Sequence, residues 1–304
     1  MNYFLIYFRP TGRMQSRPYV IYAFLMQIAF LCSLNTVCAQ TAEDYLNQPF
    51  LERLNNDSSY MRLKKKVVHE FVNAQPGRWG EFIKGVSEDL KTTEKLIAFT
   101  FDACGGEKGT GFDKELIEFL RQEKVPATLF VTGKWIDGHF TDFLNLTRDP
   151  LFEIENHGLN HKPCSIDGES EYGIHGTANA AEAFDEIEAN ARKIEAITGH
   201  RPRFYRSATA FIDEACARLA HELDIQAISF QVLSGDAIPH TPESVIEENV
   251  LRNISPGAIV IMHLNHPEWN TCEAMRKIIP RLRQQGYRFV NLNAFELIGK
   301  NGRK

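Results

Sequence analysis

The chain has 304 residues, 43% of them hydrophobic and 24% charged, which excludes a disordered or fibrous protein and leaves room for one large domain or two ordinary ones. A net charge of -5, with Lys and Arg never gathered in one long block, gives no reason to expect nucleic acid as a partner. No repeat of fixed period and no low-complexity segment is visible.

The N-terminus differs from the rest. Arg9, Arg13 and Arg17 precede an apolar run from Tyr19 to Leu34, which ends in Thr36-Val37-Cys38-Ala39-Gln40. A basic region, an apolar region and a small-residue exit predict a secretory signal over 1–39, cleaved before Gln40. The protein is then exported, to the periplasm or beyond the cell. A retained anchor is the alternative and would be the one membrane contact, although the apolar run is short for a full span. Export leaves Cys104, Cys164, Cys216 and Cys272, which allow three pairings in an oxidising compartment.

Residues 40–94 read as a helical extension. Tyr60 to Phe71 places apolar residues at helical spacing, with Lys64, Lys65 and Lys66 as a solvated face. From Lys95 to about residue 300, short apolar runs alternate with amphipathic segments. Strands are predicted over 96–101, 126–131, 152–156, 204–206, 226–230, 258–262 and 287–292. Helices are predicted over 113–123, 178–198, 212–222, 242–253 and 271–284. The alternation implies a parallel sheet with helices outside, and the number of units suggests a barrel. Gly105-Gly106 with Gly109 and Gly111 follows a strand but lacks the Lys-Ser/Thr of a phosphate loop.

Several strands end on a polar group. The first, Leu96–Phe101, runs into Asp102. The third leads into His157-Gly158-Leu159-Asn160-His161, whose two His, four apart, would share one face of a helical turn and reach one metal ion. Zinc suits imidazole and oxygen donors best, with other divalent ions as alternatives. Arg206 ends a further strand and suits a guanidinium holding a carboxylate. Asp236 follows another strand. His263 ends the apolar run Ile259–Met262, as a satisfied core His or a general acid. In a barrel, groups at C-terminal strand ends share one rim.

These segments, in this order, resemble the polysaccharide deacetylase family, carbohydrate esterase family 4, over about residues 95–298. That family reads T-F-D-D-G, H-[ST]-x-x-H, R-x-P-[FY], an Asp-containing fourth motif and L-x-H. This chain has Thr100-Phe101-Asp102, His157 to His161, Arg206, Asp236 and Ile261-Met262-His263. The resemblance implies a distorted (β/α) barrel of about seven strands and hydrolysis of N-acetyl, less often O-acetyl, groups on a glycan with a divalent metal. It assigns Asp102 as base, oriented by Arg206, and His263 as acid, with its pKa raised by Asp236. His157 and His161 become metal ligands.

Two departures stand out. The family's second Asp, a metal ligand, is Ala103 here, and Ser207-Ala208 follow Arg206 in place of x-Pro. Asp102 moves to the metal, or the metal keeps two protein ligands, or Cys104 supplies the third unless a disulfide prevents it. The expected set is Asp102, His157 and His161 around one ion. If Asp102 and the His pair converge, Cys104 and Cys164 lie on neighbouring loops, and a Cys104–Cys164 disulfide is expected. With export, the substrate would be a wall or envelope polysaccharide such as peptidoglycan. The alternatives are a catalytically impaired glycan-binding protein and a hydrolase of cyclic amides on the same fold.

Overall fold

The structure is a computed structural model that describes residues 41–106 and 109–299; the expected signal over 1–39 lies outside the described residues. Its longest strand, β1 (Leu96–Ala103), has all eight residues buried. A strand covered on both faces carries apolar residues continuously rather than alternately, which is how this stretch reads. Six more strands follow: β2 (Ala127–Val131), β3 (Phe152–Asn156), β4 (Phe204–Tyr205), β5 (Gln226–Ala227), β6 (Val232–Leu233) and β7 (Ala258–His263). Their spatial order is β5-β4-β3-β2-β1-β7-β6, and every pairing is parallel.

That order forces curvature. Laid flat at about 4.8 Å per strand, β5 and β6 would lie roughly 29 Å apart. The chain passes from Ala227 to Val232 through only residues 228–231, a reach of at most about 19 Å. The sheet therefore curls into the distorted barrel expected from the sequence. Short antiparallel strands, Asp89–Leu90 and Leu297–Ile298, continue the sheet beside β7.

The two faces of β1 meet different surroundings. Ile97, Phe99, Phe101 and Ala103 belong to a large apolar cluster with the helices Lys114–Gln122, Glu243–Asn253 and Thr271–Gln284. Leu96 and Ala98 face inward and pack with Phe130, Phe204, Ile228, Ile259 and Leu292. Further along the inner face come Thr100 and Asp102, so the barrel interior is apolar at one end and polar at the other.

The helices Asn47–Asn55 and Ser58–Phe71 cover part of stretch 40–94; the remainder is mostly loop, with two-residue strands Trp79–Gly80 and Asp89–Leu90. Asp57 caps the second helix by accepting from the backbone N–H groups of Ser59 and Tyr60 at 2.6 and 3.1 Å. Lys64 departs from the expected solvated face: its Nζ donates to Asp185 Oδ2 at 2.6 Å, beside the Tyr60 hydroxyl on Oδ1. Residues from Ala42 onward form one compact unit. Among the described residues, no helix is long and apolar enough to cross a membrane.

Other differences are local. The short helices Gly133–Gly138 and Phe140–Thr147, between β2 and β3, carry too few turns to show a period in the sequence. The helix expected over 178–198 contains a π turn, Asp185–Ala189, that shifts its buried face by one residue. Glu186, Ile187, Glu188, Ala189 and Asn190 are consequently all buried in succession.

Candidate active site

The polar strand ends converge at the C-terminal rim of the sheet. Asp102 of β1 is the register partner of His263 of β7, so the two lie side by side on adjacent strands. Arg206, immediately after β4, crosses the barrel and is fully buried. Its Nη1 donates to Asp102 Oδ1 at 2.7 Å, and its Nη2 donates to Thr100 Oγ1 at 2.8 Å and to the Ser229 carbonyl at 3.0 Å. The guanidinium lies 4.3 Å from the centre of the Phe130 ring. Burial pushes the Asp102 carboxyl up, but Arg206, His157 and His263 outweigh it and hold the group below the usual carboxylate range. Asp102 is thus kept as an anion in a nearly dry place.

On the other side of Asp102, Asp236 serves His263. Asp236 Oδ1 faces His263 Nδ1 at 3.0 Å, while Oδ2 accepts from the His263 backbone N–H at 2.7 Å. The hydroxyls of Ser234 and Thr271 also donate to it, at 2.8 and 3.1 Å. A carboxylate so held fixes the imidazole. Burial lowers the His263 pKa, but Asp236 and then Asp102 overcome it and leave the pKa above the ordinary histidine value. Trp269 closes this side, its ring edge-on to His263 and stacked on His266.

The His pair converges, but not on a helical turn. His157 to His161 form an irregular loop, bent at Gly158 (φ +88°) and at His161 (φ +61°). The two rings meet with centroids 5.1 Å apart. His157 Nδ1 is 2.8 Å from the Arg206 carbonyl, which can only accept, so Nδ1 carries the proton and Nε2 presents its lone pair to the site. Burial keeps both imidazoles below their ordinary pKa, His161 well below, and the neutral form is the one that binds metal.

The donor cluster differs from the expected one. Cys104, His157 and His161 bring one ligand atom each to within 4.8 Å of one another, and Cys104 Sγ is 3.8 Å from His157 Nε2. Donors about 2.0–2.3 Å from one tetrahedral ion stand roughly 3.3–3.8 Å apart; the Cys104–His157 separation falls in that range, and the three residues could together hold a divalent cation. Asp102 lies outside that cluster; its Oδ2 is 3.7 Å from His157 Nε2 and its other oxygen is taken by Arg206. The expected Cys104–Cys164 disulfide is absent: both cysteines are free. Cys164 points away into the core beside Cys216 and Tyr205, because its backbone is tied to the Ile212–Asp213 segment rather than to the rim. Non-reducing peptide mapping is expected to return Cys104 unlinked to Cys164, and a cross-linked pair of those peptides would contradict this arrangement.

The polysaccharide deacetylase family model matches residues 89–228. Over those residues the chain resembles the polysaccharide deacetylase family. A peptidoglycan-N-acetylglucosamine deacetylase of Bacillus cereus is 26% identical over 220 residues, 68% of this chain and 91% of that one. A CE4 family pseudoenzyme from Bacillus anthracis superposes with a TM-score of 0.56 at 25% identity, covering 66% of this chain and 65% of the other. A family 4 acetyl xylan esterase from Clostridium thermocellum, solved with a cobalt ion, shares the fold at a TM-score of 0.54 and 24% identity, over 66% of this chain and 89% of the other.

One residue of this site went unnoticed in the sequence. Glu186 sits on the π turn, buried beneath the His loop. Its Oε1 accepts from the backbone N–H groups of Asn160 and Lys162 at 2.9 and 3.0 Å, and its carbonyl accepts from that of Leu159 at 2.9 Å. Burial raises its carboxyl pKa to about 7 against these bonds. A Cβ at Gly158 would come within 2.4 Å of Glu186 Oε1, so the glycine admits this carboxylate beneath the loop. The only sequence signal was an acid within a helical pattern, which reads as a solvated face.

Proposed function

We propose that this protein is a metal-dependent deacetylase that removes acetyl groups from an N-acetylated glycan of the peptidoglycan type, with O-acetylated glycan as a lesser substrate, acting after export. One observation carries the reading. The Asp102–Arg206 and His263–Asp236 pairs stand side by side on one rim, next to a donor cluster built around two neutral His.

Amide hydrolysis requires a nucleophile, stabilisation of the developing oxyanion, and a proton for the leaving nitrogen. Asp102, anionic and fixed by Arg206, is suited to take a proton from the attacking water. His263, with Nδ1 turned to Asp236, offers Nε2–H in its protonated form to the departing amine. His157 and His161 would hold a divalent ion, which when bound would polarise the acyl oxygen and acidify water. Peptidoglycan enters from the name of the Bacillus cereus relative and from the export pattern of the N-terminus.

The test is acetate release from peptidoglycan, chitin oligomers and poly-N-acetylglucosamine by the zinc-loaded full chain, before and after chelation. Release that chelation abolishes and zinc restores supports the reading; no release from any of them under saturating zinc removes it. Ala103, at the family's metal-ligand position, and the likeness to a family pseudoenzyme favour a second reading, a glycan-binding protein without catalysis. Glycan binding without acetate release would select it.

The Glu186 carboxylate sets the loop that carries both His. Outer groups of this kind typically change metal affinity by about 10–100-fold when removed. Glu186→Ala is therefore expected to weaken zinc binding by a factor in that range. Competition with a chromophoric chelator measures it, and unchanged affinity would show that the loop holds its shape without the carboxylate.

A further inference from the structure

We infer that Cys104, as a thiolate, is the third protein ligand of the metal site, and that Asp102 stays outside the coordination sphere. The inference deepens the proposed function and rests on its reading of His157 and His161 as ligands.

Strand geometry supplies the first argument. Successive side chains on a strand point to opposite faces. Thr100 and Asp102 face the barrel interior and meet Arg206, while Ala103 packs into the apolar layer under the helices, fully buried. On this backbone a carboxylate at position 103 would point into hydrocarbon. Cys104 follows directly after the strand, two residues beyond Asp102, and its Sγ reaches to 3.8 Å from His157 Nε2. The sulfur therefore lies at the mouth of the site, and the missing acid would lie in the apolar layer.

The backbone around Cys104 is also pinned. Its carbonyl accepts from Thr132 Oγ1 at 2.8 Å, and the same Thr132 oxygen caps the Gly133–Gly138 helix by accepting from Trp135 N–H at 3.0 Å. Gly105, at φ +67°, turns the chain immediately afterwards, and a Cβ there would come within 2.4 Å of the Trp135 nitrogen. Its N–H donates to the Gly109 carbonyl at 3.0 Å. The Thr132 hydrogen bond and the close approach of Gly105 to Trp135 thus hold the backbone at Cys104.

Asp102 is already committed. One oxygen is in a buried ion pair with Arg206, and Arg206 has two further partners that keep it there. Moving Asp102 onto a cation would place the guanidinium and the metal on the same carboxylate. With Cys104 as ligand, the carboxylate remains available as a base. One sulfur, two nitrogens and an open fourth position make a zinc-type catalytic set and disfavour magnesium or calcium, which take oxygen ligands.

Cobalt(II) loaded into the full-chain protein reads the ligand directly, since a thiolate on cobalt gives an intense sulfur-to-metal charge-transfer band in the near ultraviolet. The parent is expected to show it. Cys104→Ser and Cys104→Asp are expected to lose it while keeping the weaker visible bands of a cobalt site on two His, which also shows that the fold survives. Asp102→Asn is expected to keep it. Cobalt bound by the parent without the band, or a band that persists in Cys104→Ser, overturns the inference and leaves the deacetylase reading standing. A parent that binds neither cobalt nor zinc overturns both. The band together with an absence of acetate release keeps Cys104 as ligand and removes the catalytic reading.

Discussion

Replacing His263 by Ala is expected to reduce acetate release by about 10²–10⁴-fold, the range in which a positioned general acid contributes, with zinc affinity and fold unchanged. The expectation follows from the geometry of the rim. His263 is the register neighbour of Asp102, and its Nδ1 is held by Asp236. The ring is only half-buried, so it reaches the space above the donor cluster without forming part of the core. Removing it leaves no other imidazole on that side except His266, which is stacked on Trp269 and held by Glu268.

The pH profile separates this role from a structural one. Asp236 raises the pKa of His263 against the effect of burial, so the acid stays protonated above the ordinary histidine range. Asp236→Asn should move the alkaline limb of kcat/KM to lower pH, because the imidazolium loses the carboxylate that favours it. An unshifted limb, or full activity in His263→Ala, would remove the acid role.

The largest expected effect on stability comes from Arg206→Met. Arg206 is fully buried, donates to three oxygens and neutralises a carboxylate that is itself about as buried. Breaking a buried pair by removing one partner typically costs about 3–5 kcal/mol, because the other charge is left unpaired in a low dielectric. The Asp102 carboxyl lies below its ordinary value in the folded protein. A lowered acid stabilises the fold above the unfolded carboxylate pKa and loses that contribution as pH falls through the folded one. Arg206→Met should therefore lose most stability near neutral pH and come closer to the parent in strong acid. Denaturant melts at the two pH values decide it; an equal deficit at both would mean the loss is packing rather than charge. Arg206→Lys should rescue little, since a point ammonium cannot bond to Asp102, Thr100 and the Ser229 carbonyl together.

Strand ends were the most legible part of this sequence. The all-buried run Leu96–Ala103 announces a parallel strand because both of its faces are covered, and an acid after such a run has few places to go but a rim. The same logic located Arg206, Asp236 and His263. What it could not supply was side-chain direction across an irregular loop. The His pair looked helical because four-residue spacing is a helical signal, whereas positive φ at Gly158 and His161 brings the rings together without a helix. Cys104 was visible only as one of three candidates for the third donor. Asp102 was expected to reach the metal through a local backbone change at Gly105-Gly106, whereas Arg206 holds one of its oxygens inside the barrel. Glu186 was hidden because a π turn breaks the period on which burial is read. Cys164 was misplaced because sequence proximity to His161 says nothing of the tie to Ile212–Asp213.

The helices over 42–71 are bound into the same architecture. Asn47 donates from Nδ2 to the Leu159 carbonyl at 2.8 Å, inside the His loop, and accepts from the buried Lys193 Nζ at 2.7 Å. Tyr45, Phe50, Leu54, Tyr60, Val67 and Phe71 share one apolar cluster with Leu159, Phe184, Ile187 and Leu219, each side chain contributing roughly 1.5–3 kcal/mol through burial. The covalent link beyond them passes through exposed Val72 and Asn73. A protease that nicks the chain there would leave two pieces still clasped together, eluting as one species on a sizing column and parting only in denaturant. Fragment complementation would follow: a separately made 41–72 peptide, added to the remainder of the chain, would restore the loop that presents His157 and His161.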